Sequence, residues 1–321
     1  MIHLEDEMPM LIGMRKIALS IALLGAIAAA QSDFVKPGSI GSPAAPTASC
    51  KFEGTNRPPI TCWVEQKILF LPAPTSLQRY GYQSFKGGSG SYGQVTYKEG
   101  AGRVATVTKV TSGKYGGFDL EVKMDDNGQV YTARASYSDP AEATLDGVAL
   151  LSELQAARTA LKGKDVWIST KYLGQYDDST GEVSSLKIPR FQKVHVQDVV
   201  AGWYNHEPVR LIVKTASNSI GFVDVAFKGY NSGSLWSIYA FSKNVSLVDP
   251  RTVYNWKPEV WKALENDTII PGMTMEQVAY AFPWARSVTK STTESGTIES
   301  WSYKDFGTVT FVNGIVKSFT R

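Results

Sequence analysis

The sequence predicts a mainly β protein with α+β elements, in which two small antiparallel β-barrel modules joined by one helix precede a C-terminal α+β module. Three observations support this fold class. The 321 residues include 28 Gly, 15 Pro and 11% aromatic residues, a composition that favours strands and turns. Short runs of alternating apolar and polar residues recur along the chain. Only one long segment has the apolar period of a helix.

Composition also limits the class of protein. With 43% hydrophobic and 20% charged residues, a largely disordered chain or a multi-span membrane protein is excluded. The net charge of +3 is spread over the length without a polybasic run. We therefore expect no nucleic-acid partner.

Residues 1–30 have the pattern of a cleaved secretory signal. Arg15 and Lys16 precede the apolar run Ile17–Ala30, which ends in small residues. A transmembrane helix would need about 20 apolar residues, so we expect no membrane span; a buried N-terminal helix is the alternative interpretation. Acidic residues precede Met14, which is therefore the expected initiator. An exported protein, periplasmic or extracellular, is predicted.

Cys50 and Cys62 are the only two cysteines. In an exported chain such a pair predicts a disulfide, with two free buried thiols as the alternative. Neither cysteine directly follows the apolar run, so no lipid anchor is expected. Residues 31–49 are rich in Pro, Ser, Gly and Ala and are predicted to form a linker.

The first β module is expected over residues 50–139. Its last two strands flank Asp125-Asp126-Asn127-Gly128, and an Asn-Gly pair favours a tight hairpin. The expected strands are Lys67–Leu71, Gly93–Tyr97, Arg103–Val110, Phe118–Met124 and Gln129–Ser136.

Residues 140–163 are predicted to form the connecting helix. Apolar residues recur at steps of three and four from Leu145 to Leu161, and Gly163 supplies a stop signal. The start of the helix is open, because Gly147 costs about 1 kcal/mol relative to Ala in a helix interior.

The second β module is expected over residues 164–249 and echoes the first. Val104–Val110 and Phe118–Lys123 align with Val194–Val200 and Val209–Lys214, which indicates an internal repeat. Two unrelated hairpins would give a similar pattern. The expected strands are Asp165–Ser169, Ser185–Ile188, Lys193–Val200, Val209–Thr215 and Gly221–Phe227.

One loop of this module is the candidate partner-binding site. Trp203 and Tyr204 follow Gly202 between two expected strands, and exposed loop aromatics commonly anchor partners. Packing over the barrel end is the alternative. With Gly163-Lys164-Asp165-Val166-Trp167 at its start, the module resembles bacterial Src-homology-3-type barrels.

Residues 250–321 are expected to form the C-terminal module. Pro258–Asn266 is predicted to be helical, and Thr274 with Gln277 has the pattern of a capping box that opens a second helix. Three strands follow, and Asn313-Gly314 turns the chain into the segment Ile315–Phe319.

Three motifs in this module carry a family resemblance. Gly272-Met273-Thr274 with Gln277-Val278, then Glu299-x-Trp301-x-Tyr303, then Val309-x-Phe311-x-Asn313-Gly314 occur in order. The module thereby resembles the BamE (SmpA/OmlA) family of outer-membrane assembly lipoproteins. The resemblance implies two helices packed on a three-stranded antiparallel sheet and a setting in the bacterial envelope. The lipid-anchor cysteine of that family is absent from this module.

Several motifs suggest catalysis, but none has the partners it needs. Gly88–Val95 matches the glycine-rich loop of protein kinases and Asp305-Phe306-Gly307 their magnesium-binding motif. However, His195 and Asp198 have the wrong spacing for the catalytic loop. We expect the glycines to form a hairpin loop. His195 and His206 are isolated in the sequence, so no catalytic residue, cofactor or metal site is predicted.

The sequence therefore favours an exported bacterial envelope protein that is not an enzyme and binds another protein or a cell-wall polymer. Two alternatives stay open. One is a cell-wall hydrolase with a carboxylate pair that converges only in the fold. The other is a secreted inhibitor of an envelope enzyme.

Overall fold

A computed structural model describes residues 50, 58–114, 116–177, 182–232, 244–282, 285–294, 296–304 and 307–320. The expected signal and linker lie outside the described residues. The chain divides into two compact units, and the division falls between Pro250 and Arg251. The described part is mainly β, as predicted, with antiparallel sheets and few helices.

The first seven strands form one antiparallel sheet with the order β3-β2-β6-β5-β4-β1-β7. One-turn helices α1 (Thr75–Gln78) and α2 (Tyr97–Gly100) lie in its connections. The strands are β1 Lys67–Phe70, β2 Tyr82–Lys86, β3 Gln94–Val95, β4 Val104–Ser112, β5 Phe118–Met124, β6 Val130–Ala135 and β7 Val148–Leu150.

The next seven strands form a second antiparallel sheet with the order β10-β9-β13-β12-β11-β8-β14. Helix α3 (Leu151–Leu161) connects the two sheets. The strands are β8 Asp165–Ile168, β9 Tyr172–Asp177, β10 Glu182–Lys187, β11 Gln192–Tyr204, β12 Glu207–Lys214, β13 Ile220–Val225 and β14 Val245–Ser246.

The two sheets have the same topology, since each strand of the first corresponds to the strand seven places later in the second. Both also have a β-bulge in their fourth strand, after Val107 in β4 and after Val196 in β11. This identity of strand order and bulge position gives structural support to the internal repeat.

The sequence alignment of the two repeats was displaced by one residue where it matched β4 with β11. Val107 pairs with Val122 and Val196 pairs with Val213, and all four are buried. Val107 therefore corresponds to Val196, whereas the alignment matched it to Gln197. Because side chains alternate between faces, a slip of one residue exchanges core and surface positions. The alignment of β5 with β12 was correct.

Each sheet covers its own apolar core. Ile68, Val107 and Leu120 belong to the first core, and Val166 and Leu211 to the second. Tyr230, which lies between strands β13 and β14 of the second sheet, packs into the first core.

The connecting helix is shorter than predicted. The prediction covered residues 140–163 and left the start open, and α3 begins at Leu151. Gly147 has φ +78°, which is outside the right-handed helical region. Val148–Leu150 then pairs with β1 as strand β7, so tertiary pairing overrides the helical apolar period.

A buried carboxylate on α3 joins the two repeats. Glu153 is fully buried, and its side chain accepts hydrogen bonds from the backbone N–H groups of Lys228, Gly229 and Tyr230 at 2.7, 2.8 and 3.2 Å. Burial raises the pKa of this carboxyl. Asn231 adds a second link, because its side chain bonds the N–H and C=O of Leu145 at 2.9 and 2.7 Å.

The C-terminal unit combines short helices with a four-stranded antiparallel sheet in the order β15-β16-β17-β18. The three-stranded sheet expected here was too small by one strand, because the Asn-Gly turn leads into a fully paired strand. The capping box of Thr274 and Gln277 is confirmed. The elements are α4 Pro250–Val253, α5 Pro258–Glu265, α6 Met275–Ala281, β15 Ser287–Thr293, β16 Gly296–Tyr303, β17 Gly307–Val312 and β18 Ile315–Thr320.

The predicted disulfide between Cys50 and Cys62 is confirmed. Cys62 lies in a 3₁₀ turn, Ile60–Trp63, whose residues Ile60 and Trp63 are buried in the first core. The disulfide therefore ties the start of the described chain to the first sheet.

Candidate functional site

The face of each repeat sheet that points away from its core is called its outer face. Because strands alternate their side chains, the residues between core positions on each strand form this face. The common topology lets the two outer faces be compared position by position. They differ sharply in chemistry, and this difference identifies the candidate site.

The outer face of the second sheet is charged around Asp165 and His195. The part formed by β9, β10, β12, β13 and the end of β11 is rich in aromatic and aliphatic residues, and we call this part the aromatic face. Several of its large apolar side chains are exposed to solvent. Singly exposed apolar residues are normal, but a contiguous exposed patch is typical of an interaction surface. The residues that define the aromatic face are Tyr172, Tyr176, Val183, Val200, Trp203, Arg210, Ile220, Phe222 and Asp224.

An ion pair lies at the centre of the aromatic face. Arg210 donates two hydrogen bonds to the carboxylate of Asp224, both at 2.7 Å. The two side chains are only 8% and 11% exposed. Burial raises the pKa of the Asp224 carboxyl, and the guanidinium opposes that shift.

Two aromatic rings cover this ion pair. The guanidinium carbon of Arg210 lies 3.9 Å from the ring centroid of Trp203 and 3.7 Å from that of Phe222. Such contacts are favourable because the ring faces carry negative partial charge. Trp203 also contacts the ring of Tyr176, with centroids 6.0 Å apart. The rings and the ion pair thus form one packed layer on the sheet.

Gly174 permits this layer to form. Its position on β9 is opposite Phe222 on β13, and a Cβ atom there would lie 2.4 Å from the Phe222 ring. Any other residue would push the ring away from Arg210. The neighbouring outer positions of β9 carry Tyr172 and Tyr176.

The structure corrects the position of the two residues predicted to bind a partner. Trp203 and Tyr204 were expected in a loop, but both lie in strand β11, and Tyr204 pairs with Glu207 across a two-residue turn. Trp203 is half-buried over Arg210. Tyr204 is 41% exposed, and its ring stacks on that of His206 with centroids 5.4 Å apart. Only Trp203 contacts the ion pair.

The outer face of the first sheet is polar and forms a groove of about 750 Å³. Cross-strand pairing places Lys109 beside Glu121, Glu121 beside Thr132, and Thr132 beside Lys86. We call this set the charged groove; its lining also includes Ser84, Thr111, Asp119 and Arg134.

An ion pair occupies the same place in both sheets, with its charges exchanged. Asp119 pairs with Arg134 in the first sheet, where Arg210 pairs with Asp224 in the second. In the first sheet the contact is longer, because Nη1 of Arg134 lies 3.4 Å from Oδ1 of Asp119. Both side chains are 48% exposed. No aromatic ring covers it among the described residues, since the position of Phe222 is held by Thr132.

Two of the motifs that suggested catalysis lie within the described residues. The kinase-like glycines form the loop between the paired strands β2 and β3, as expected. His195 bonds Asp165 through Nδ1 at 2.9 Å on an exposed surface. Asp305 and Phe306 lie outside the described residues. The described part of the chain contains no group of three or more His, Cys, Asp or Glu residues that could hold a metal ion.

Comparisons with protein-family models, with curated proteins and with solved structures each found no match. Among the described residues, no helix has the length and apolar character needed to cross a membrane.

Proposed function

We propose that this chain is a non-enzymatic binding protein of the bacterial cell envelope, and that the aromatic face binds a partner protein. In this proposal the chain is exported to the periplasm or the extracellular space, as the signal-like residues 1–30 predict. The two repeats act as small barrels of the Src-homology-3 type, and the C-terminal unit is BamE-like. A cell-wall polymer is the other partner class that the sequence suggested.

The observation that carries the proposal is the exposed aromatic and aliphatic surface around a rigid centre. Tyr, Trp and Arg are the residues most enriched among those that dominate binding energy at protein interfaces. The buried ion pair of Arg210 and Asp224 fixes the rings of Trp203 and Phe222. A surface held in its binding conformation loses less conformational entropy when a partner docks.

The duplicated sheet supports the same conclusion. At the corresponding positions the first sheet carries Glu121 and Thr132, and the second carries Ile212 and Phe222. The fold therefore does not require apolar residues on its outer face. Their concentration in one repeat favours a role in recognition over a role in folding.

The test is affinity capture from envelope extracts with the exported protein and with two surface variants. Tyr176→Ser combined with Val183→Ser removes exposed apolar groups from the aromatic face. Val130→Ser is the matched control, because Val130 is similarly exposed on the outer face of the first sheet. We expect the double variant to lose a specific partner that the control retains. Capture that is equal for all three proteins would contradict the proposal.

A further inference from the structure

The charged groove of the first sheet has features that the binding role of the aromatic face leaves unexplained. Its floor is formed by strands β4, β5, β6 and β2, and each contributes a polar side chain to one row. Adjacent strands are about 4.8 Å apart, so Lys109 and Lys86 lie at the two ends of a row about 14 Å long. Glu121 lies between them.

Two opposite charges in this row have no ion-pair partner among the described residues. Lys109 and Glu121 are cross-strand neighbours, but no side-chain contact joins them. Lys86 reaches only the backbone oxygen of Tyr92, at 3.3 Å. The groove thus offers a carboxylate and two ammonium groups that are available to a ligand.

The second repeat shows that these charges are not needed for the fold. The positions of Lys109, Glu121 and Lys86 are held there by Asp198, Ile212 and Gly174. The corresponding sheet forms with the same strand order and the same bulge. The strand order and the bulge therefore do not depend on the charged residues of the first sheet.

The lining limits the kind of ligand. A simple anion would be repelled by Glu121 and Asp119, and a simple cation by the lysines. None of the described residues that line the groove is aromatic, so they offer a sugar ring no stacking surface. The hydroxyl groups of Thr111 and Thr132 provide donors and acceptors for a polar chain.

We propose that the charged groove binds an extended peptide segment that carries one carboxylate and one ammonium side chain. Its ammonium group pairs with Glu121, and its carboxylate pairs with Lys109 or Lys86. The groove volume of about 750 Å³ suits a ligand of a few residues. This proposal is independent of the aromatic face.

The test uses fluorescence anisotropy with the whole exported protein and four fluorescein-labelled hexapeptides. Each peptide contains one Glu and one Lys, separated by zero to three Thr, with Thr elsewhere. Neutral analogues carry Gln in place of both charged residues. We expect at least one charged peptide to bind at millimolar concentration or below, and its neutral analogue to bind at least tenfold more weakly.

Four variants locate the binding. Lys109→Met and Glu121→Gln should each weaken the peptide about tenfold. Lys123→Met is the matched control, because Lys123 is on the same strand and face as Glu121 but outside the groove, and it should change binding less than twofold. The exchange Lys109→Glu with Glu121→Lys should restore binding to within threefold of the unaltered protein.

Three outcomes would overturn the proposal. The first is that none of the four peptides binds up to 10 mM. The second is that the groove variants, shown by circular dichroism to be folded, bind as tightly as the unaltered protein. The third is that Lys123→Met weakens binding as much as Lys109→Met, which would show a diffuse electrostatic effect without a site.

Discussion

The repeated ion pair provides an internal test of how burial sets the stability of this fold. Asp224→Ala removes the carboxylate from the buried pair, and Asp119→Ala removes it from the corresponding exposed pair. The two substitutions delete the same chemical group from corresponding ion pairs in two sheets of identical strand order, although the carboxylate lies on β5 in the first sheet and on β13 in the second. The main difference between the two pairs is their burial.

The expected costs follow from the geometry. Arg210 has two short hydrogen bonds to Asp224 and is 8% exposed, so Asp224→Ala leaves a buried guanidinium without its partner. Such a loss costs about 3–5 kcal/mol of unfolding free energy. Asp119 makes one contact of 3.4 Å on an exposed surface. Loss of a pair of that kind costs about 1 kcal/mol or less.

The assay is urea unfolding at 25 °C, followed by tryptophan fluorescence and circular dichroism. A third variant, Arg210→Met with Asp224→Leu, should recover most of the lost stability, because apolar residues of similar volume can replace a buried ion pair. Equal costs for Asp119→Ala and Asp224→Ala would refute the reasoning. A double variant that is no more stable than Asp224→Ala would refute it as well.

Three further predictions concern side chains that stabilise particular parts of the fold. Glu153→Ala should cost about 3 kcal/mol or more in urea unfolding, since it leaves one buried and two half-buried N–H groups without their acceptor; a cost below 1 kcal/mol would contradict the link between repeats. The hydrogen bonds from Lys193 and His195 hold the pKa of Asp165 below its ordinary value, so its contribution to stability is present above about pH 4 and is lost as the pH falls through the folded-state pKa. Asp165→Asn should therefore reduce the decline in stability between about pH 4 and pH 2, measured by urea unfolding at each pH, and an unchanged decline would exclude this role. Trp301→Ala should remove the contact with Phe311, whose ring centroid is 4.7 Å away, and lower the melting transition of residues 251–321 alone; a single transition for the whole chain in calorimetry would contradict the separate unit.

The sequence predicted those strands whose side chains alternate strictly. Phe118–Met124 was predicted with its observed bounds, because four apolar residues alternate with three polar ones. Tyr82–Lys86 was missed, since it contains no β-branched residue and one of its two pairing partners, β6, is distant in sequence. Tyr172–Asp177 was missed because Gly174 weakens the pattern, and that glycine is explained only by the ring of Phe222 across the sheet.

The candidate site was predicted only in part. Trp203 was singled out for its residue type, but its partner Arg210, which lies on the next strand, was not. The pair of Arg210 with Asp224 depends on the register of β12 and β13. A signal was present, since both residues are charged at positions that alternate with apolar core residues. That this charged pair belongs to a candidate site became clear only when the second sheet was compared with the first.

The most direct test of the central claim is site-specific photo-crosslinking in the producing bacterium. A benzoyl-phenylalanine side chain replaces Tyr176 on the aromatic face or, as the control, Val130 on the outer face of the first sheet. Both positions are exposed. The account predicts a discrete crosslinked protein partner from position 176 and none of that size from position 130. The absence of any adduct from position 176, or the same adducts from both positions, would contradict it.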